Sequence, residues 1–349
     1  MVIEITKDVL EYIYSYNLHE FRRLVYLIKK NIGESIYELN PSRNFIYLNF
    51  DACEFILNIC NDSMEISKYN DNLQNILSSV STFKRLKIVL PNSSNDKFEI
   101  EYESEKVVKL LEECPEVIIE NMNDQDIYEK IIRMKFEIRQ IKNKFKCIFG
   151  NGGQVPQLVE KKIREKEVCI VITDHDQKYY EESNSSSTPS KVKNLFDENM
   201  PDILGDHIII SYKNIEGLIP YKYVLNDLKC KKRKAFDELY KIQKNKEWLK
   251  YFDFKKGLKK NLKSSGNVVM NSKIWWNSQF CWGGTKDIID LLNELQEDEI
   301  LSTGIPNYDF NEIPYKDFLE KSSKEQFKEY NRIGKIIYPW IIINDYIVE

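Results

Sequence analysis

The sequence predicts an α/β protein, with a parallel sheet in its middle third, a mixed α/β region before it and a mainly helical region after it. Three observations lead to this prediction. Four short apolar runs in the middle third alternate with segments of helical periodicity. Each run is apolar throughout, as strands are when helices cover both faces of a parallel sheet. Strand signals become sparse after about residue 228, until an apolar run at 336–345.

Residues 1–108 form the first of three predicted regions, and a length of 349 residues agrees with two or three domains. Apolar residues at helical spacing in 5–32 predict one or two helices. The β-rich runs at 45–50 and 85–90 predict strands, and the alternating run at 98–103 predicts an edge strand. No residue pattern here indicates chemistry, so we expect this region to offer a docking surface for a partner.

Residues 109–228 carry the predicted parallel sheet, in which each strand is followed by a helix or a loop. Right-handed crossovers are the rule for such connections. The predicted strands are 116–120, 146–150, 168–174 and 207–211, and the predicted helices are 127–141, 157–166 and a short one near 190–198.

The exits of these strands hold most of the candidate chemistry, because ligands of an open parallel sheet bind beyond the carboxyl ends of its strands. The acids at these exits are Glu120 after the first strand, Asp174 and Asp176 after the third, and Glu216 after the fourth. Carboxylates gathered at one edge raise one another's pKa, and a hard divalent cation such as Mg²⁺ relieves that repulsion. One or two such ions can activate water for attack on a phosphodiester.

Each of these residues also has a simpler interpretation. A lone Asp-x-Asp is more often a solvated turn or a helix cap, and Glu120 alone would more often be a surface residue. The metal-site interpretation depends on all the acids falling at the same end of consecutive strands. We expect His175 to point away from its neighbouring aspartates, in a packing or hydrogen-bonding role. Gly150-Asn151-Gly152-Gly153 predicts a tight turn, with phosphate binding at the next helix as the alternative.

Two segments resemble the Toprim fold of topoisomerases, primases and related nucleases. VIIENMNDQDIYEKI places a Glu after the first strand, and VCIVITDHD places Asp-x-Asp after the third, as that family does. The later segment IEGLIP resembles the Toprim nucleases of bacterial anti-phage systems of the overcoming-lysogenisation-defect type. The resemblance covers roughly a third of the chain. It departs from the family where Asn121 follows Glu120, since the family has Gly in that place.

This resemblance implies a Toprim-like sheet with a Mg²⁺ or Mn²⁺ centre. Glu120 would be a metal ligand or general acid/base, and Asp174 and Asp176 would hold the ion. Glu216 would complete a second metal position, and Asp124 falls near a supporting acid of the family. The implied activity is metal-dependent hydrolysis of phosphodiester bonds in DNA or RNA, as a toxic effector of antiviral defence against phage.

The alternative function is a catalytically silent Toprim-like subunit that binds nucleic acid or a partner ATPase. Nucleases of this type often work beside an ATPase, and the chain has no P-loop, so that ATPase would be a separate protein. We expect no nucleotide cofactor. A topoisomerase is disfavoured because the chain is short for strand-gating domains, and a primase is disfavoured because no zinc module is evident.

Residues 229–349 form the third region, and its charge predicts contact with nucleic acid. The stretch 229–273 holds 15 basic and four acidic residues, a net charge of +11, whereas the whole chain carries −4. Such a stretch can bind a phosphate backbone, although a Lys-rich helix is often only a solvated face. Its aromatic residues could stack on unpaired bases or lie in the core. They are Trp248, Tyr251 and Phe252, followed by Trp275, Trp276 and Trp282, for which core packing is expected and a partner surface is the alternative.

Cysteine and histidine usage predicts a cytoplasmic protein without a zinc site. The seven cysteines form no CxxC pair, and there are only three histidines. No apolar run reaches the length of a membrane span, and the N-terminus lacks the pattern of a signal peptide. We therefore expect no membrane partner.

Overall fold

The structure is a computed structural model, and its description covers most of both sheets and part of the C-terminal region. The described residues are 2–37, 45–60, 84–93, 98–112, 115–136, 145–151, 153–182, 185–199, 203–220, 223, 247–258, 262–264, 267–279, 287–288, 290 and 313–341. Within them, no helix combines the length and the apolar character needed to cross a bilayer.

The N-terminal region contains a four-stranded parallel sheet with the strand order β2-β1-β3-β4. Its strands are β1 (Val2–Ile5), β2 (Phe45–Leu48), β3 (Arg85–Val89) and β4 (Glu99–Glu101), and its helices are α1 (Lys7–Tyr16), α2 (Leu18–Tyr37), α3 (Phe50–Ile59) and α4 (Ser104–Glu112). The predicted strands at 45–50 and 85–90 are confirmed, and the one or two helices predicted in 5–32 are present as two, α1 and α2. The predicted edge strand is also confirmed, because β4 is the outermost strand on its side of the described sheet and pairs there with β3.

The sequence did not predict β1, which lies between β2 and β3 in the sheet. Its four residues precede a strong helical pattern, and we had started the first helix at Ile5. Thr6 has an extended backbone (φ −87°, ψ 159°) and separates the strand from α1. The strand is buried at Val2, Ile3 and Ile5, so it belongs to the core.

The middle region contains a second four-stranded sheet, with the strand order β6-β5-β7-β8 and every pair parallel. The predicted parallel sheet is therefore confirmed. Its strands are β5 (Glu116–Ile119), β6 (Lys146–Phe149), β7 (Cys169–Thr173) and β8 (Gly205–Ile209). Its helices are α5 (Gln125–Phe136), α6 (Val155–Arg164) and α7 (Thr188–Glu198), with short 3-10 helices at Met122–Asp124 and Ile215–Leu218.

The described part of the C-terminal region is largely helical, as predicted. It contains α8 (Trp248–Tyr251), α9 (Met270–Gln279), α10 (Tyr315–Lys321) and α11 (Lys324–Ile341), and a two-residue pairing of β9 (Lys263–Ser264) with β10 (Asn267–Val268). The strand signal at 336–345 was wrong as far as Ile341, because α11 continues through Pro339. Helical spacing decides this, since the buried residues Tyr330, Ile333, Ile337 and Trp340 recur every three or four positions.

Helix α11 connects the C-terminal region to both sheets. The indole N–H of Trp340 donates to Oδ2 of Asp206, a residue of β8 (2.6 Å). The backbone N–H of Lys84, next to β3, donates to the carbonyl of Pro339 (3.4 Å). One hydrophobic cluster contains buried residues from all three regions, so the helix is part of a shared core.

Candidate acidic site

Glu120 and Asp174 are in direct contact at the carboxyl edge of the second sheet, through a carboxylate and a backbone amide. β5 and β7 are parallel neighbours, so Glu120 and Asp174 leave the sheet at the same edge. The Glu120 Oε1 atom accepts a hydrogen bond from the backbone N–H of Asp174 (3.0 Å). This hydrogen bond connects Glu120 and Asp174, two of the acids predicted from the sequence, across neighbouring strand exits.

Asp124 lies one short turn after Glu120 and is only 4% exposed. Its Oδ2 accepts hydrogen bonds from the backbone N–H of Asn121 (3.2 Å) and from the Asn121 side-chain amide (3.3 Å). Asn121 stands where the Toprim resemblance would have a glycine. Its side chain therefore has a local role, which is to hold the buried carboxylate of Asp124.

The four acids around Asp174 form one electrostatic group. Burial raises the pKa of Asp174 well above its usual value, and the charges of Glu120, Asp124, Glu216 and Asp176 raise it further. The other four predicted site residues therefore all lie within electrostatic range of Asp174. A carboxylate surrounded by four others has no stabilising reason to be there, so the arrangement favours a role in binding or chemistry.

The neighbouring acids are perturbed in the same direction. Burial raises the pKa of Glu120 to about 7, and the charges of Asp176 and Asp124 add to this. Burial also raises the pKa of Asp124 to about 6, with a further contribution from the charge of Glu216. The charge of the exposed Lys255 ammonium lowers the pKa of both groups. Lys255 is thus the cation that faces the acidic edge from the basic stretch.

At Asp176 the chain turns instead of continuing as a strand. Its φ is +62°, in the left-handed region that few non-glycine residues adopt. The turn is fixed by Lys213, whose carbonyl accepts from the Asp176 N–H and whose Nζ donates to the Asp176 carbonyl, both at 3.2 Å. Burial raises the pKa of Asp176, and the charge of Lys213 lowers it. The Asp176 carboxylate also feels the charges of Asp253 and Glu182.

Glu216 is carried by the 3-10 helix Ile215–Leu218. Burial raises its pKa, while its own backbone N–H and the charge of Lys255 lower it. The preceding Asn214 donates its amide to Asp253 Oδ1 (2.9 Å), which also accepts from the Lys256 N–H (2.8 Å). These bonds tie the strand-exit loop to the turn that carries Lys255.

Sequence reasoning missed four residues of this edge, namely Glu182, Lys213, Asp253 and Lys255. Two of them, Asp253 and Lys255, belong to the basic stretch, where we had counted them only as charges. A weak signal existed for Lys213, because it lies in the same strand-exit loop as Glu216. No local pattern distinguishes the others from solvated charges.

The donor set of this edge fits a hard divalent cation, because Mg²⁺ prefers carboxylate oxygens. As the side chains are placed, no group of three or more Asp, Glu, His or Cys residues could hold an ion, within the ranges given above. Mg²⁺ is usually bound by only one or two carboxylates together with waters and substrate phosphates. The edge therefore fits the ion as an open site that water and phosphate complete.

His175 and Gly150 have packing roles. The His175 ring lies edge-on to Tyr251 (centroids 5.2 Å apart), and burial lowers its pKa to about 4. A Cβ atom on Gly150 would lie 2.2 Å from Val155 Cγ2, so this glycine permits close packing of β6 against α6. Helix α6 begins at Val155, two residues before the predicted start at 157.

The aromatic residues of the basic stretch are mainly core residues. Trp248 and Phe252 are fully buried, and Tyr251 is 8% exposed. Most of the lysines of 229–273 lie outside the described residues, as does Trp282. Among those that are described, Lys250 pairs with Glu247 (2.7 Å), and Lys255 and Lys256 are exposed.

No protein-family model, curated protein or solved structure matches the chain. The case for a function therefore depends on the acidic edge itself.

The crowded carboxylates predict that the metal-free protein becomes more stable as the pH falls from about 8 to about 6.5. The folded pKa values of Glu120 and Asp174 lie above their unfolded values, so only the folded state takes up protons in this window. That stabilisation is fully present below the unfolded pKa and is lost as the pH rises through the folded pKa. Below this window the buried His175 and His207, whose pKa values burial lowers to about 4, oppose the trend.

Thermal unfolding in a chelator, followed across this pH range, measures the effect. Asp174→Asn removes one charge from the group, so we expect a higher unfolding midpoint than wild type near pH 8 and a weaker pH dependence. Asp197→Asn, at an exposed carboxylate on α7, serves as the matched control. A wild-type midpoint that does not change with pH, or a destabilised Asp174→Asn, would contradict the electrostatic account.

Proposed function

We propose that this chain is a metal-dependent nuclease, a hydrolase that cuts phosphodiester bonds of DNA or RNA at the acidic edge of its second sheet. The observation that carries the proposal is the gathering of four other carboxylates around Asp174, from three strand exits of one parallel sheet. Phosphodiester hydrolysis is the chemistry for which such an edge is suited, because carboxylates hold the cation that phosphate and water also bind.

Asp174 and Asp176 would hold Mg²⁺ or Mn²⁺, and Glu216 would complete a second metal position. The ion, when bound, would supply charge stabilisation to the phosphoryl group and lower the pKa of water. Glu120 has a pKa of about 7, so its carboxylate can accept or return a proton near neutral pH. Asp124 and Asn121 fix the turn that follows Glu120. The ammonium of Lys255 would attract a phosphate towards the edge.

The wider proposal follows the Toprim resemblance. The sheet is Toprim-like, the nucleic acid is held partly by the basic stretch 229–273, and a separate ATPase is a candidate partner. On this view the protein acts in the cytoplasm as a toxic effector in defence against phage. What supports it is the order of the acids along the chain, with Glu after β5, Asp-x-Asp after β7 and Glu in the IEGLIP segment.

One observation favours the alternative of a catalytically silent subunit. No three potential ligands of the described edge are placed to share an ion, and Asn121 occupies the position of the family's glycine. A silent subunit would bind nucleic acid or its ATPase partner without cutting. The two functions differ in the effect of a divalent cation. It allows a nuclease to cut the nucleic acid, whereas it changes only the affinity of a silent subunit for the nucleic acid.

The test is incubation of the whole chain with supercoiled plasmid, linear duplex, single-stranded DNA and total tRNA, each with Mg²⁺, Mn²⁺ or a chelator. We expect at least one nucleic acid to be cut with Mg²⁺ or Mn²⁺ and none to be cut in the chelator. Nucleic-acid binding without cutting under any metal would reject the nuclease and support the silent subunit.

A further inference from the structure

An aromatic cluster lies next to the acidic edge, and the proposed chemistry does not use it. The stacking cluster consists of Tyr180, Tyr251 and Trp275. The Tyr251 ring centroid lies 6.4 Å from that of Tyr180 and 4.9 Å from that of Trp275, with both neighbours edge-on. Tyr251 also contacts the ring of His175, the residue between the two aspartates of the edge. The stacking cluster is thus one residue away from the carboxylates.

Exposure within the stacking cluster increases from the core outwards. Tyr251 is 8% exposed, Trp275 is partly buried and Tyr180 is 59% exposed. Core packing accounts for Tyr251 but not for Tyr180, whose phenol ring gains little from burial. An aromatic ring that rests on a buried aromatic neighbour and remains open to solvent can stack on a ligand.

Hydrogen bonds to residues before and after Tyr180 hold the segment that carries this ring. The Trp276 indole N–H donates to the carbonyl of Lys178 (3.1 Å). The Glu182 N–H donates to the carbonyl of Tyr179 (3.2 Å), and its own carbonyl accepts from the side chain of Gln177 (2.8 Å). A ring on a closed turn loses little freedom when a ligand binds, which favours a binding role.

Exposed cations lie close to Tyr251 of the stacking cluster along the chain, on the turn tied to the acidic edge. Lys255 and Lys256 are exposed, follow Tyr251 closely in the chain and lie on the turn that Asn214 ties to the strand exits. The charge of Lys255 lowers the pKa of Glu120 and of Glu216, so this exposed cation lies within electrostatic range of both acids. Aromatic faces beside cations are the features by which proteins bind unpaired nucleic-acid strands.

We propose that the stacking cluster binds an unpaired nucleobase next to the phosphate at the acidic edge, so that the substrate is single-stranded nucleic acid. This inference rests on the proposed nuclease function and adds its substrate class. Bases inside a duplex stack on one another and offer no free face to Tyr180. Stacking is tolerant of base identity, so we expect little sequence preference.

The experiment measures binding without cutting, by fluorescence anisotropy of short labelled oligonucleotides in a chelator. The probes are single-stranded DNA, single-stranded RNA, a duplex, and an abasic strand that keeps the phosphates but has no bases. The variants are Tyr180→Ala, which removes the ring, and Tyr180→Phe, which keeps it. Tyr26→Ala is the matched control, because Tyr26 is a 63% exposed tyrosine on α2.

We expect Tyr180→Ala to weaken binding of single strands about tenfold, which corresponds to about 1.4 kcal/mol. Tyr180→Phe and Tyr26→Ala should bind as wild type does, and binding of the abasic strand should not depend on Tyr180. Comparison of the single-stranded DNA and RNA probes shows whether the site prefers deoxyribose or ribose. Equal binding by Tyr180→Ala and wild type, equal affinity for duplex and single strand, or no binding by wild type would each overturn the inference.

The two proposals fail separately. If the protein cuts nucleic acid with metal but its binding does not depend on Tyr180, the base-binding role of the stacking cluster is rejected and the nuclease function is retained. If binding of single strands depends on the Tyr180 ring but nothing is cut, the nuclease function is rejected and the base-binding role of the stacking cluster is retained.

Discussion

Replacing Glu120 by glutamine is expected to reduce metal-dependent cleavage by about 10²–10⁴-fold, the range for loss of a positioned general acid or base. Its carboxylate oxygen is bonded to the N–H of Asp174 at 3.0 Å, and its raised pKa suits proton transfer near neutral pH. Glutamine keeps the shape and an acceptor oxygen, but it can neither carry the charge nor exchange the proton. Asp174→Asn should have an effect of similar size, because Asp174 is at the centre of the acidic group.

Cleavage rates at saturating Mg²⁺, followed on the substrate that the wild type cuts, provide the measurement. Glu160→Gln, at an exposed carboxylate on α6, is the control and should cut normally. Circular dichroism should show both site variants folded. A Glu120→Gln protein that retains most of its activity would place the chemistry elsewhere in the chain.

The second large effect is expected at Gln326, a buried residue in the first turn of α11. Its side-chain amide donates to the carbonyls of Gly217 (3.1 Å) and Ile219, and its Oε1 accepts from the N–H of Ser323 (3.0 Å). Tyr330 adds a bond from its hydroxyl to the carbonyl of Leu218 (2.6 Å). Helix α11 thus holds the backbone of the 3-10 helix that carries Glu216.

Gln326→Leu fills the same space but leaves these carbonyls without donors, so we expect a loss of about 2–4 kcal/mol in the free energy of unfolding. We also expect the Mg²⁺ concentration for half-maximal cleavage to rise about 10–100-fold, as it does when an outer contact of a metal ligand is lost. Urea unfolding and a metal titration of cleavage test the two effects. Gln157→Ala, at an exposed glutamine on α6, should change neither. Unchanged metal dependence in a destabilised Gln326→Leu would give Gln326 a structural role only.

The second sheet could be predicted because its information is local. Each of its strands is a short apolar run, and Glu120 and Asp174 directly follow two of them. Parallel pairing then brings consecutive strand exits to one edge, so the first members of the site follow from the order of elements. The strand β1 was missed because four residues ahead of a helical pattern carry little signal of their own.

The rest of the site could not be predicted, because tertiary packing decides it. Asp253 and Lys255 come from a turn in the basic stretch, and Gln326 comes from the last described helix. Local composition describes these residues as solvated charges or as helix surface. The same limit applies to the run that ends α11. Its apolar, β-branched residues suggested a strand, although the core contacts of a long helix determine its conformation.

The support of Glu216 by α11 has a consequence for biosynthesis. A ribosome adds about 5–20 residues per second, and domains fold in the order in which they emerge. The strands that carry Glu120 and Asp174 are therefore made well before the helix that holds the Glu216 turn. Until α11 has emerged from the ribosome, the acidic edge lacks that support. A nuclease built in this way would become competent only after α11 has packed against the turn that carries Glu216.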